Sequence, residues 1–197
     1  MSNTIIAVSR QYGSGGREIG EKLAQALGFG FYDQHLIEMA AEKGNYDLKR
    51  LKEVDEKKAN MWLYSVPVEN HIISGIRTPI NDMLFALQTE VIRQVALKES
   101  CVIIGRCADS VLKDEKKLFS VFIYADLPSR IQRIMKRNGV SEKEAAETIK
   151  KMDKQRSCYY NFYSDKRWGK RESYHICLDS GRLGVDRCVA ILQQLTK

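Results

Sequence analysis

The chain lacks any apolar stretch near the ~20 residues that a membrane span requires. Its first apolar run, Ile5–Val8, is too short for a secretory leader and is followed by Arg10. A cytoplasmic protein with no membrane partner is the expectation. Histidine is scarce, at three residues, and the five cysteines (Cys101, Cys107, Cys158, Cys177 and Cys188) form no C-x-x-C pair. An odd count without paired spacing argues against a disulfide framework and against a zinc site, and fits reduced thiols. Cys101 and Cys177 lie in apolar runs and are expected in the core. There is no internal repeat and no low-complexity tract. What the 197 residues do have is 44% hydrophobic and 29% charged content, ordinary for a soluble globular protein. A chain of this size buries about 70% of its unfolded surface, so one domain, with a mobile sub-lobe, needs no covalent staple.

Most of the chain lacks net charge. The net charge is +7, yet the stretch from Arg130 to His175 holds 13 lysines and arginines against 6 acids, and the remainder holds 19 of each sign. One segment therefore carries the whole excess. Such concentration suggests a polyanionic partner, either nucleotide phosphates or nucleic acid; a solvated helical face is the plainer alternative.

Short apolar runs bounded by turn residues occur at Ile5–Val8, Gly28–Tyr32, Cys101–Ile104, Leu118–Tyr124 and His175–Leu178. They do not alternate polar with apolar, which fits strands buried on both faces. Helical patterns lie between them. Ile19, Leu23 and Leu27 recur at helical spacing and Gly28 is a natural stop. Thr78-Pro79 opens a helix with the stripe Ile80, Leu84, Leu87, Val91 and Val95. Pro128 begins another that ends at Asn138-Gly139, Ser141 and Glu144 form a capping box before Ala145, Ile149 and Met152, and Val185, Val189 and Leu192 mark the last helix. Strand–helix alternation of this kind predicts an α/β doubly wound parallel sheet of five strands. The stretch from Gly44 to Arg77 shows no clear strand and is the candidate for a substrate-binding insertion.

Ser9–Gly28 reads SRQYGSGGREIGEKLAQALG. A buried strand, a glycine-rich turn and an amphipathic helix follow one another, which is the setting of the phosphate-binding loop G-x-x-x-x-G-K-[ST]. Glycines let backbone N–H groups converge on an anion, and the helix N-terminus adds partial positive charge. Neither effect needs the lysine, which is absent. A tight turn without a ligand is the alternative.

The stretch IIAVSRQYGSGGREIGEKLAQALGFGFYDQHLIEMAA resembles the opening of the cytidylate kinase-like family, within the P-loop nucleoside monophosphate kinases. SCVIIGRCADSVL resembles that family's third strand and its Gly-Arg turn. VFIYADLPSRIQRIMKRNGVSEKEAAETIKKMDKQRSCYYNFY resembles its fourth strand, arginine-bearing helix and lid, and YHICLDSGRLGVDRCVAIL its last strand and helix. The resemblance implies a three-layer αβα P-loop fold, with a helical substrate lobe near 44–77 and a lid near 138–172. It implies ATP as phosphate donor and magnesium. Placing Gly13-Ser14-Gly15 on the family's Gly-Ser-Gly puts Gly16 where the lysine would be and Arg17 on the magnesium-binding hydroxyl residue. The nucleotide site then comprises Gly13, Ser14, Gly15, Gly16, Arg17 and Glu18. Arg17 is expected to supply the missing cation, with Arg10 a second source. Magnesium is expected to be held mainly by nucleotide and waters, steered by Asp33 or Glu18, with no protein metal site.

Phosphoryl transfer asks for alignment and positive charge more than covalent chemistry. Arg106 follows the run Cys101–Ile104 at the edge where α/β sheets bind ligands, and by resemblance holds an acceptor phosphate. Arg130, Arg133 and Arg137 recur on one helical face, and Arg133 and Arg137 are the better phosphate ligands; Arg130 reads equally as a solvated charge. Asp153 and Arg156 match the family's lid residues, or form an ordinary i, i+3 ion pair. Asp33 orients the acceptor, caps the following helix, or both. His35 suits a surface helix position better than a ligand, and His71 and His175 read as structural. The aromatics of CYYNFYSDKRW pack a lid against the body, stack on adenine, or stack on single-stranded nucleic acid. Three functions follow. The first is an ATP-dependent phosphotransferase acting on a nucleoside monophosphate, CMP or dCMP first. The second is a nucleotide-binding sensor without turnover. The third, a nucleic-acid-binding protein, is disfavoured because no helix-turn-helix, zinc or RNA-reading motif is present.

Overall fold

The structure is a computed structural model, and it describes residues 3–33, 35–44, 71–73, 76–78 and 80–195. Five strands form one parallel sheet: β1 (Ile5–Arg10), β2 (Gly30–Tyr32), β5 (Cys101–Ile104), β6 (Leu118–Tyr124) and β7 (Ile176–Asp179). Their order is β2-β5-β1-β6-β7. Each matches an apolar run of the sequence, and the alternation of their side chains explains why those runs are continuous. Ile5, Ala7, Cys101 and Ile103 face one layer, packed with Leu36, Val91, Ile92 and Val95. Ile6, Val8, Val102, Ile104, Val121 and Ile123 face the other, packed with Ile19, Leu23, Val189 and Leu192. A strand covered on both sides has no polar face to show.

The covering helices are α1 (Gly16–Leu27) and α8 (Val185–Leu195) on one layer, and α2 (His35–Gly44), α3 (Ile80–Lys98) and α4 (Ala108–Val111) on the other. The short α7 (Ser180–Leu183) leads into α8. Helix α1 stops where the sequence says it should, at Gly28 in the left-handed region with φ 65°. Helices α5 (Leu127–Asn138) and α6 (Glu142–Tyr163) pack together beside the sheet through Ile134, Ala145 and Ile149. The carboxylate of Asp126 accepts the Ser129 amide at the start of α5, and Ser141 and Glu144 close the expected capping box on α6.

Several expectations change. Gly28 belongs to the helix cap, and β2 begins at Gly30. A short antiparallel pair, β3 (His71–Ile73) and β4 (Ile76–Thr78), stands in a stretch expected to hold no strand. Thr78, expected to open the long helix, is the last residue of β4, and the helix begins at Ile80. Residues 45–70, 74 and 75, the rest of the expected insertion, lie outside the described residues, as do the side chains of His35 and His71. Cys101 is fully buried, whereas Cys177 is only half-buried. His175 is structural, since its Nδ1 accepts the Ser120 amide at 3.2 Å.

Candidate functional site

The glycine loop hangs from β1, the middle strand. Gln11 donates its amide to Ile123 O at 3.0 Å, and its side-chain carbonyl accepts the Ala125 amide at 3.2 Å. These bonds tie the loop to β6 at the carboxyl edge of the sheet, where the strand order reverses and α/β folds bind ligands. Gly13 (φ 81°) and Gly15 (φ 78°) take the left-handed conformation that turns the backbone into α1. Ser14 is fully buried, and its Oγ donates to Gln11 O at 2.9 Å. It therefore shapes the loop from within and does not line the cleft. Helix α1 starts without a side-chain cap. Among the described residues nothing accepts the amides of Gly15, Arg17 and Glu18, while Gly16 N makes one long bond of 3.4 Å to Ser14 Oγ. Unspent donors at a helix N-terminus form an anion site.

A cleft of about 1110 Å³ opens over these amides. Eight cationic side chains line it (Arg10, Arg17, Arg106, Arg133, Lys136, Arg137, Lys151 and Arg156) against the carboxylates of Glu18 and Asp33. The charge excess of the sequence is thus largely gathered into one concavity.

Helices α5 and α6 bring the arginines in. The Arg133 guanidinium lies directly against Gly15, so close that a Cβ there would sit 1.8 Å from Nη1. Arg137 Nη2 donates to the Tyr12 hydroxyl at 2.6 Å, and its guanidinium lies 5.1 Å from the Tyr12 ring centroid. Arg156 donates Nη1 to Arg10 O at 3.0 Å and lies 5.4 Å from the same ring. Tyr12 is thus a platform that holds two guanidiniums at the loop through cation–π contact. Burial is the main influence lowering the pKa of Arg156, with Asp153 opposing it.

Two sequence expectations are corrected by this packing. Arg130 is buried, not solvated, and pairs with Asp153 Oδ2 at 2.5 Å. Asp153 also accepts the Tyr12 amide through Oδ1 at 2.7 Å, so it fastens α6 to the loop and does not line the cleft. The i, i+3 pair with Arg156 is not made, because both Asp153 oxygens are engaged across the interface.

Arg17 is exposed, and two carboxylates hold it: Nε donates to Asp33 Oδ2 at 2.8 Å and Nη1 to Glu21 Oε2 at 2.9 Å. The Asp33 hydrogen bond is the main reason that its pKa rises. Arg106, at the end of β5, lines the cleft with φ 57°, and Cys107 beside it has φ 54°. Two consecutive non-glycine residues in the left-handed region mark a strained turn at the end of β5. The aromatic segment packs as a seam. Tyr163 stacks on Phe85 with centroids 4.0 Å apart, Trp168 meets Phe122 edge-on at 5.3 Å, and Tyr160 donates to the buried Asp109 at 2.6 Å. Phe162 alone of the five is largely exposed. Tyr159, Tyr160 and Trp168 also reach the cleft wall. Sequence reasoning missed Tyr12, Lys136 and Lys151; the signal for Tyr12 was a large aromatic set inside a glycine loop.

Residues 5–182 match the cytidylate kinase-like family. The chain belongs to that family. Its fold agrees. An uncharacterized protein from Eubacterium ventriosum ATCC 27560 is 30% identical over 98% of both chains, with a TM-score of 0.75. Shikimate kinase from Bacteroides thetaiotaomicron is 15% identical over 98% of this chain and 97% of its own, with a TM-score of 0.55. A gluconokinase from Sinorhizobium meliloti 1021 is also 15% identical, over 98% and 93%, with a TM-score of 0.53. These last two likenesses carry the fold alone. The chain matches no curated protein. The P-loop kinase architecture of the cytidylate kinase-like family is therefore present here, with no lysine in the glycine loop.

Proposed function

We propose that the protein is an ATP-dependent phosphotransferase whose acceptor is a nucleoside monophosphate, with CMP or dCMP the first choice. The observation that carries this is the set of unpartnered loop amides opening into a cleft lined by eight cations. Family membership supports a kinase. In this reading the amides of Gly15, Gly16, Arg17 and Glu18 bind the nucleotide phosphates. Arg133, Arg137 and Arg156 surround the transferring group and favour the charge that spreads over its oxygens. Arg106 holds the acceptor's phosphate at the end of β5, and Asp33 orients the acceptor. Magnesium would be held mainly by the nucleotide and waters, with Asp33 and Glu18 the cleft-wall carboxylates that would accept from those waters. Among the described residues no three acidic, histidine or cysteine side chains gather to hold a metal ion.

Labelled ATP incubated with saturating CMP, dCMP, UMP, AMP and small alcohols tests the reading. Transfer to CMP or dCMP is expected, and Arg133→Ala should lower kcat/KM by roughly a hundredfold, as for loss of one transition-state donor. ATP binding without transfer to any acceptor would instead identify a nucleotide sensor. Absence of ATP binding would remove both.

A further inference from the structure

Gly16 is the first residue of α1 and, by the resemblance, falls where the P-loop consensus has its lysine. Its backbone is not in the left-handed region, so the conformation itself would accept any L residue. Space is what forbids a side chain there. A Cβ on Gly16 would lie 2.5 Å from Cβ of Arg10 and 3.1 Å from Cβ of Ile123. The stem of Arg10 fills the place through which a side chain at residue 16 would leave the helix. Further out, Nη1 of Arg10 lies only 2.4 Å from where a Cβ on Gly105 would be. Arg10 therefore crosses both glycines and carries its guanidinium along the carboxyl ends of β1 and β5 to the cleft wall.

That guanidinium is only loosely held, by one long ion pair to Asp33. Nε is buried and has no hydrogen-bond partner. The nearest carboxylate, Asp33, is 4.0 Å away, beyond hydrogen-bond reach, and already accepts from Arg17 at 2.8 Å. Its pKa is lowered by burial first and by the charges of Arg156, Arg106 and Arg17, with Asp33 opposing them. A largely covered cation with three like charges around it and one distant carboxylate has room for a further anion.

We propose that positions 10 and 16 have exchanged roles: Arg10 supplies the cation that the loop lysine would give to bound polyphosphate, and residue 16 is glycine to let the Arg10 stem pass. The inference rests on the nucleotide reading of the loop. The sequence offered Arg17 first for this part and Arg10 second; the structure favours Arg10, because Arg17 is exposed and held by Asp33 and Glu21. A guanidinium offers five N–H donors in a planar fork, so Arg10 can grip two phosphate oxygens where an ammonium acts as a point charge.

Calorimetric titration with ATP and with inorganic tripolyphosphate tests it. Arg10→Gln keeps most of the stem and removes the charge; binding of both ligands should weaken by about ten- to a hundredfold. Arg10→Gly should lose at least as much, and Arg10→Gly combined with Gly16→Lys should regain about tenfold or more over Arg10→Gly. A residue that merely supports the fold would not be rescued by a lysine placed on another element. If Arg10→Gln binds tripolyphosphate within about twofold of the wild type, the proposal is overturned while the nucleotide site stands. A double variant that melts like Arg10→Gly but binds no tighter overturns the exchange. If Arg10→Gly does not fold, the Arg10→Gln comparison decides. A wild-type protein that binds neither ligand overturns the nucleotide reading itself.

Discussion

Asp153 shows how a single side chain can join the two halves of the site. One oxygen takes the Tyr12 amide and the other takes buried Arg130. Removing it leaves a guanidinium with few alternatives and a loop amide without an acceptor. Breaking one partner of a buried pair is far more costly than the pair's net worth. Asp153→Ala should therefore lower the unfolding free energy by about 3 kcal/mol, measured by urea denaturation. Asp153→Asn keeps an acceptor for Tyr12 and should lose clearly less. Equal stability of Asp153→Ala and wild type would show that the contact contributes nothing. From the sequence, Asp153 and Arg156 looked like partners because they are three residues apart; helix spacing cannot show that Arg130, on another helix, lies nearer in space.

At the scale of elements, the aromatic seam fixes the C-terminal half of α6 to the body of the molecule. Tyr160 reaches the Asp109 carboxylate, and Tyr174 packs between Tyr160 and Phe122 with its hydroxyl accepting the Gly169 amide. Burial raises the Tyr174 pKa to about 12 from an ordinary 10.0, and burial with the neighbouring Asp109 also raises that of Tyr160. Both phenols stay protonated in the fold at pH values where the unfolded chain begins to ionise them. Stability from Tyr174 is thus complete below pH 10, falls as pH rises past it, and is lost by about pH 12. Its share of that loss is about 2–3 kcal/mol. Thermal melts between pH 9 and 12 should show the decline, and Tyr174→Phe should be less steep there. An unchanged slope in Tyr174→Phe would exclude this phenol as a source.

The whole molecule is electrically uneven in a way that predicts its response to anions. Its excess charge lies between Arg130 and His175, and folding turns Arg133, Lys136, Arg137, Lys151 and Arg156 toward one cleft. Like charges held together strain the free protein and relax when an anion enters. Tripolyphosphate at about a hundred times its Kd should stabilise the fold by about 2.7 kcal/mol. For a chain of this size that corresponds to a melting shift of roughly 5–10 °C. Added sodium chloride should diminish the shift by screening. A melting temperature that ignores tripolyphosphate would mean that the cleft does not bind it. Across the described residues no helix is long and apolar enough to cross a membrane.

The sequence by itself determined the local structure. Continuous apolar runs require strands covered on both faces, Gly28 and Gly139 stop helices, and Ser141 with Glu144 starts one. Those features depend on residues a few positions apart, and five parallel strands follow from them. Three glycines in four residues between a strand and a helix likewise placed the candidate loop. Only the tertiary structure decided which cation stands at that loop. Arg17 was the nearest charge in sequence, but Asp33, brought beside it at the end of β2, holds its guanidinium. Arg10, Arg133, Arg137 and Arg156 come from β1, α5 and α6, and they meet because sheet order and helix packing carry residues more than a hundred positions apart into contact. Charge acts through space, and chain spacing does not record that distance.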